Sequence, residues 1–168
     1  MVDMLVRLYD LPPVGESEAK IKTLLEQEEI IIRRPGAYEK HLVAQFIEQH
    51  FSPKWVSEFE VAMSRQPATC WIATHQKQVI GFACYETTAK GFFGPTGVDE
   101  NYRGKQLGKL LLLKSLHSLK ELGYAYGFIG GVGPISFYEK ACNATAIEGS
   151  DPGIYIDILP EPNSTKKP

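Results

Sequence analysis

Apolar positions along the 168-residue chain recur with two periods, one typical of strands and the other of amphipathic helices. Short apolar or alternating runs predict strands at Met4–Tyr9, Ile30–Arg34, Cys70–Thr74, Val79–Tyr85, Phe92–Val98, Ala125–Gly130, Thr145–Ile147 and Gly153–Leu159. Stripes of apolar residues three and four positions apart predict helices at Glu16–Glu29, Leu42–His50, Pro53–Met63, Leu107–Leu122 and Pro134–Ala141. Strands that alternate with helices in this way favour an α/β or α+β domain.

Local signals define two of these elements more closely. Ser52 followed by Pro53 is a typical N-cap and first helical residue, so a helix is predicted to begin there. The strand predicted at Phe92–Val98 contains Gly94-Pro95. Because proline cannot donate to a β-ladder, this strand is predicted to bulge or to lose its pairing at that point.

Composition and charge narrow the functional classes. A formal net charge of -2 argues against a nucleic acid partner. The three cysteines are widely spaced and form no Cys/His cluster, so neither a disulfide framework nor a metal site is predicted. No segment approaches the roughly 18 apolar residues of a membrane span, and acids interrupt the N-terminal residues where a signal peptide would be apolar. A cytoplasmic protein without a membrane partner is therefore predicted.

The strongest candidate for chemistry is the stretch VDENYRGKQLGKLLL, which runs from the end of a predicted strand into a predicted helix. A glycine-bearing turn that opens a helix presents unpaired N–H groups and the positive end of the helix dipole, and this arrangement binds phosphates. A Walker loop is excluded because Gly104-Lys105 is followed by Gln106. A dinucleotide fingerprint at Gly131–Ser136 lacks its third glycine and stays a distant alternative.

The same stretch resembles motif A of the GNAT superfamily, the Gcn5-related N-acetyltransferases. Arg103, Leu107 and Gly108 match its core, and Val98, Asp99, Tyr102, Arg103 and Gly104 match the usual lead-in. A second block, Phe137–Cys142, is similar to motif B, and the predicted element order from Ile30 to Leu159 is similar to that of the family. Gln106 stands where the family most often has glycine, and a right-handed backbone conformation is predicted there because the position lies at a helix entrance.

The resemblance implies a GNAT fold, a mixed central sheet of six to seven strands flanked by helices and splayed between the fourth and fifth core strands. It implies an acetyltransferase domain over residues 30–159. Outside the resemblance, a strand–helix extension over residues 1–29 is predicted to pack on the same domain, and the polar, Pro/Lys-rich residues 160–168 are predicted to form a flexible tail. The implied acceptor specificity lies in the helices of Pro35–Pro67. The oligomeric state is left open, with a homodimer as one candidate.

The activity implied by the resemblance is transfer of an acetyl group from acetyl-CoA to a primary amine of a small molecule or peptide, with no metal. The pyrophosphate is expected on the N–H groups of Gly104 to Lys109, and the pantetheine arm along Thr96–Val98. A backbone N–H near Thr96–Val98 is expected to polarise the thioester carbonyl. The implied CoA-binding residues are Thr96, Gly97, Val98, Arg103, Gly104, Lys105, Gln106, Leu107, Gly108, Lys109, Ser136, Tyr138 and Lys140.

Two residues are predicted to be catalytic. Tyr138 resembles the family tyrosine that hydrogen-bonds or protonates the departing thiolate, although packing of its helix on the sheet would also explain it. A lysine-like amine is disfavoured in its neutral form at pH 7 by about 4.6 kcal/mol, so a base would help. Glu86 is the candidate base, and a solvated carboxylate at a strand end is its competing interpretation. The alternative function is an acyl-CoA-binding sensor or interaction module without catalysis.

Overall fold

The computed structural model describes residues 1–160, and the predicted tail lies outside them apart from its first residue. Seven strands form one mixed sheet in the order β2-β3-β4-β5-β6-β1-β7. The strands are β1 (Met4–Arg7), β2 (Ile31–Arg33), β3 (Cys70–His75), β4 (Gln78–Tyr85), β5 (Phe92–Val98), β6 (Tyr126–Ile129) and β7 (Thr145–Ala146). The helices are α1 (Val14–Gln27), α2 (Lys40–His50), α3 (Pro53–Met63), α4 (Leu107–Glu121) and α5 (Ile135–Cys142). The predicted mixed sheet flanked by helices is confirmed.

The sheet separates two apolar cores because successive strand residues point to opposite faces. On β4, Phe82 and Cys84 contact residues of α2 and α3. Ala83 and Tyr85 point to the other face, where α1, α4 and α5 contribute to a larger core. Helix α4 contributes seven leucines to that core, which explains its strong apolar stripe: Leu107, Leu110, Leu111, Leu112, Leu113, Leu116 and Leu119.

Strand β1 lies inside the sheet and is antiparallel to both of its neighbours. Met4 pairs with Ile129 of β6 and with Ala146 of β7. Met4 and Val6 are fully buried in the larger core. The N-terminal residues therefore supply the strand that joins two strands from the C-terminal half of the chain.

Helix α3 begins as predicted. Ser52 has an extended backbone conformation, and its hydroxyl accepts a hydrogen bond from the Trp55 N–H at 3.4 Å. Pro53 occupies the first helical position, where its missing N–H leaves no helical hydrogen bond unmade.

The predicted irregularity of β5 is also confirmed, and it is a bulge. Phe93 pairs with Tyr85 and Thr96 pairs with Ala83, so Gly94 and Pro95 of β5 oppose a single residue of β4. The parallel ladder between β5 and β6 covers only Phe92 and Phe93. Beyond the bulge the two strands separate, and this is the splay predicted between the fourth and fifth core strands.

The strand predicted at Gly153–Leu159 is wrong. Gly153 and Asp157 have positive φ angles of 58° and 55°, which turn the chain twice within the segment and interrupt the extended conformation. The alternating isoleucines that suggested a strand, Ile154, Ile156 and Ile158, are exposed. Tyr155, between them, instead packs its ring beside Gly130 and Gly131.

Candidate active site

The turn between β5 and α4 contains two residues with left-handed backbone conformations. Asp99 caps the short 3-10 helix Glu100–Tyr102 by accepting a hydrogen bond from the Asn101 N–H at 2.8 Å. Gly104 follows with φ of +77°, and Gln106, the N-cap of α4, has φ of +62°. The prediction of a right-handed conformation at Gln106 is therefore wrong. The Gln106 carbonyl accepts the first helical hydrogen bond, from the Leu110 N–H, although the Gln106 backbone itself is left-handed.

A cleft of about 430 Å³ lies at this turn, between the end of β5 and the start of α5. It is lined by Val98, Tyr102, Arg103, Gly104, Gln106, Leu107, Gly108, Lys109 and Phe137. Seven of these nine are residues that the sequence predicts as CoA-binding. Tyr102 and Phe137 were not predicted as ligand contacts, although Tyr102 lies within the motif A match and Phe137 is an aromatic residue at the start of a short helix.

The floor of the cleft is open to backbone approach. A Cβ atom added at Gly104 would meet no atom within 4 Å, and one added at Gly108 would meet only Val98, at 3.7 Å. The first N–H groups of α4 have no acceptor within the helix and carry its positive dipole end. Lys109 adds a cation. Burial raises the pKa of the Cys142 thiol to about 12, and the charge of Lys109 lowers it to a smaller extent. The arrangement fits a diphosphate group.

Two basic residues of the turn have protein partners. Lys105 forms an ion pair with Glu28 at 2.9 Å and lies over the Tyr102 ring, so it ties the turn to the end of α1. The Arg103 side chain is exposed, and its Nε donates to the Val98 carbonyl at 3.3 Å. Ser136 and Lys140 are exposed on α5 and do not line the cleft. Among these four residues, only Arg103 lies where a ligand in the cleft would touch it.

The edge of β5 that faces the splay offers unpaired backbone groups. The Asp99 N–H donates to the Ile80 carbonyl of β4. Successive N–H groups of a strand point to opposite sides, so the Gly97 N–H also points to β4. The N–H groups of Thr96 and Val98 then point away from β4. The Thr96 hydroxyl donates back to the Phe82 carbonyl at 3.0 Å, which fixes the strand. Thr96 and Val98 therefore present amides on the side that β6 has left.

Tyr138 lies on the α5 side of the splay. Its ring meets that of Phe93 edge to face, with centroids 6.4 Å apart, immediately before the bulge of β5. The residue is 8% exposed. Burial, with a smaller effect of Cys142, raises the pKa of the Tyr138 hydroxyl to about 12, so it stays a neutral phenol and a proton donor at physiological pH.

Glu86 is buried at the end of β4 and its carboxylate already has partners. Its Oε1 accepts a short hydrogen bond from the Gly91 N–H, which closes the loop between β4 and β5. The pKa of Tyr124 is raised by burial and by its hydrogen bond with Glu86. These contacts describe a carboxylate that holds a loop, and a catalytic role for Glu86 stays a prediction.

A second cavity, of about 630 Å³, lies on the other face of the sheet, between α2 and the hairpin of β3 and β4. Its wall includes the ion pair of Arg33 with Glu39, at 2.6 Å, and the rings of His75 and Tyr102, which are hydrogen-bonded to each other. Tyr102 thus contributes to both cavities.

Among residues 1–160, no helix has the length and apolar character needed to cross a membrane. The same part of the chain holds no group of three or more His, Cys, Asp or Glu side chains arranged to bind a metal ion.

Comparison with known proteins identifies the class of protein to which this fold and cleft belong. The sequence model of the acetyltransferase (GNAT) family matches residues 35–143, and the chain belongs to that family. No curated protein matches the sequence.

Solved structures share the fold at low sequence identity. The GCN5-related glucosamine N-acetyltransferase region of a fungal multi-domain β-N-acetylglucosaminidase aligns with a TM-score of 0.67 at 17% identity, over 87% of this chain and 19% of that one. A GCN5-related N-acetyltransferase from Sphaerobacter thermophilus gives 0.63 at 16% identity, over 87% and 48%. A GNAT family acetyltransferase from Brucella melitensis, in complex with acetyl-CoA, gives 0.55 at 18% identity, over 71% and 88%. The chain thus spans about a fifth and about half of the first two proteins.

Proposed function

We propose that this protein is an N-acetyltransferase that transfers an acetyl group from acetyl-CoA to a primary amine. The observation that carries the proposal is the joint position of the cleft and the splay. The cleft at the first turn of α4 opens beside Val98, the last residue of the strand edge that β6 leaves unpaired. A long ligand with a diphosphate at one end and amide groups in its arm fits both features at once.

Different residues bind the different parts of this ligand. The N–H groups that follow Gln106, with Lys109, bind the diphosphate. The amides of Thr96 and Val98 hydrogen-bond the pantetheine arm as a neighbouring strand would. Phe137 covers the opposite wall. The acyl end then lies near the bulge of β5, where a backbone N–H polarises the thioester carbonyl.

Tyr138 is the proton donor in this proposal. Its hydroxyl lies on the α5 side of the bulge and is held neutral by burial. As the amine attacks the carbonyl carbon and the carbon–sulfur bond breaks, the phenol hydrogen-bonds the departing thiolate and protonates it. The bound amine must lose a proton before or during this attack.

The proposal is tested by release of free CoA thiol from acetyl-CoA in the presence of a panel of primary amines. Amine-dependent thiol release, with the acetylated amine found by mass spectrometry, is the expected result. Tight binding of acetyl-CoA without turnover over the whole panel would favour the non-catalytic acyl-CoA-binding alternative. Absence of acetyl-CoA binding would contradict both.

A further inference from the structure

The two faces of the sheet differ in what lies beside the bulge of β5. Tyr138 reaches the bulge of β5 from the face that carries α4 and α5, and the same face is filled by the larger core and by the CoA cleft. Phe93 points to that face, so Phe92, its neighbour, points to the other one. Phe92 is half-buried whereas Phe93 is buried, so the face that carries α3 leaves room beside the bulge, and an amine that attacks the acyl carbon comes from that face.

Glu58 lies on that face beside the bulge. Its carboxylate accepts a hydrogen bond from the Thr88 hydroxyl, and the preceding residue, Thr87, donates to the Gly94 carbonyl at 2.7 Å. Two consecutive threonines thus connect Glu58 to the bulge of β5. The charge of Glu58 also raises the pKa of Cys84, the residue of β4 opposite the bulge, although burial and Cys70 contribute more.

The Glu58 carboxylate lacks a positive partner. The residue is half-buried, and within residues 1–160 no lysine, arginine or histidine forms an ion pair with it. A half-buried carboxylate without a cation is costly to keep ionised. Burial accordingly raises the pKa of Glu58, and the Thr88 hydrogen bond lowers it. Glu86 differs because its carboxylate closes a loop.

Aromatic side chains lie on the same face of the sheet as Glu58. Phe92 and Phe128 stack with centroids 5.5 Å apart, and both rings are half-buried. The Tyr155 hydroxyl and the Phe92 ring both lie beside Gly130. Burial, followed by Asp3 and Glu58, raises the pKa of Tyr155 to about 12, so this hydroxyl is neutral. A carboxylate next to aromatic rings suits a cation carried on an apolar body.

We propose that Glu58 binds the ammonium group of the acceptor and takes its proton, and that the acceptor is a primary amine on an apolar or aromatic body that packs on Phe92. This inference rests on the proposed acetyl transfer. The ammonium gives one proton to the Glu58 carboxylate and becomes a neutral amine. Its nitrogen then forms the C–N bond as the C–S bond breaks, Tyr138 gives its phenol proton to the thiolate, and the second amine proton restores the Tyr138 phenol. The products are the N-acetyl amine and CoA thiol, and Glu58 returns its proton to solvent.

Two measurements with Glu58→Gln test this proposal. With 2-phenylethylamine as acceptor, kcat/KM is expected to fall at least 100-fold, with a KM for the amine at least 10-fold higher and an unchanged acetyl-CoA Kd. By calorimetry in the presence of CoA, 2-phenylethylamine is expected to bind the wild type and not the variant, and 3-phenylpropionate to bind neither. Glu60→Gln is the matched control, because Glu60 lies on the same helix but pairs with Lys40 at the surface. Glu58→Asp should recover part of the amine binding.

The binding measurement does not depend on turnover. A failure of the amine-binding role of Glu58 can therefore be told apart from a failure of the proposed acetyl transfer. Equal binding of 2-phenylethylamine to wild type and Glu58→Gln, or no binding to either, overturns the role of Glu58. Amine binding that depends on Glu58 without any thiol release overturns the acetyl transfer and leaves the amine site in place. An unchanged melting temperature of Glu58→Gln excludes loss of fold as the cause of weakened binding.

Discussion

Substitution of Gln106 by glycine is expected to stabilise the protein. Gln106 has φ of +62°, and its exposed side chain makes no capping hydrogen bond within the described residues. A left-handed conformation costs a residue with a Cβ atom about 1–2 kcal/mol. Glycine loses about 0.5–1 kcal/mol more backbone entropy on folding but is well tolerated at an N-cap. The difference predicts a net gain of about 0.5–1 kcal/mol in the free energy of unfolding.

The assays are urea denaturation, which gives the free energy of unfolding, and thermal denaturation, both on the wild type, Gln106→Gly and Gln106→Ala. A gain of about 1 kcal/mol corresponds to a rise in melting temperature of about 2–4 °C for a chain of this size. Gln106→Ala is the control because it removes the same side chain and keeps the Cβ atom, so its stability should stay close to that of the wild type.

Gly104 offers the reverse substitution in the same turn. Its φ is +77° and an added Cβ would touch nothing within 4 Å, so Gly104→Ala measures the backbone cost alone and should destabilise by about 1 kcal/mol. If Gln106→Gly were no more stable than Gln106→Ala, the left-handed entry into α4 would be wrong, and with it the geometry assigned to the phosphate cleft.

Two further predictions concern the proton donor and a surface ion pair. Tyr138→Phe should lower kcat by about 100-fold with little change in the KM for acetyl-CoA, because it removes a proton donor and keeps the packing on Phe93. Thiol release measures both constants. An unchanged kcat would show that Tyr138 only packs its helix on the sheet. Arg33 holds the pKa of Glu39 at about 2, below its unfolded value, so this stabilisation is complete above about pH 4.5 and is lost as pH falls towards 2. Glu39→Gln should therefore lower the free energy of unfolding by about 1–2 kcal/mol at pH 7, allowing for solvent screening around half-exposed Arg33. Its free energy of unfolding should also fall less than that of the wild type between pH 4.5 and pH 2. The same fall in both proteins would contradict the ion pair.

The turn chemistry and the strand periods predicted most of the fold. Ser52-Pro53 marked the start of α3, and Gly94-Pro95 marked the bulge of β5, because both signals depend on local backbone chemistry that neighbouring elements do not override. The strand predicted at Gly153–Leu159 was wrong because alternation describes the side chains and not the backbone, and the positive φ at Asp157 has no signal in the apolar pattern.

The candidate site was predicted where the residues are contiguous in sequence. Val98 and Arg103–Lys109 form one turn, so all but Lys105 line one cleft. Lys105 was assigned to the ligand because sequence alone does not place the end of α1, whose Glu28 pairs with it. The role proposed for Glu58 was not predicted from the sequence, for a related reason. Glu58 lies on an amphipathic helix 28 positions before Glu86, and only the packing of α3 over the bulge distinguishes it from its surface neighbour Glu60.

The most direct test of the central claim is the affinity of acetyl-CoA for the wild type and for Gly108→Asp, measured by calorimetry. Gly108 lines the cleft, and a Cβ there meets only Val98 at 3.7 Å, so the fold accommodates the change. An acid in the first turn of a helix is favourable to the helix itself. The wild type is expected to bind acetyl-CoA, and the variant to bind it at least 100-fold more weakly with an unchanged melting temperature. Equal affinity in the two proteins would contradict the assignment of this cleft to the CoA diphosphate.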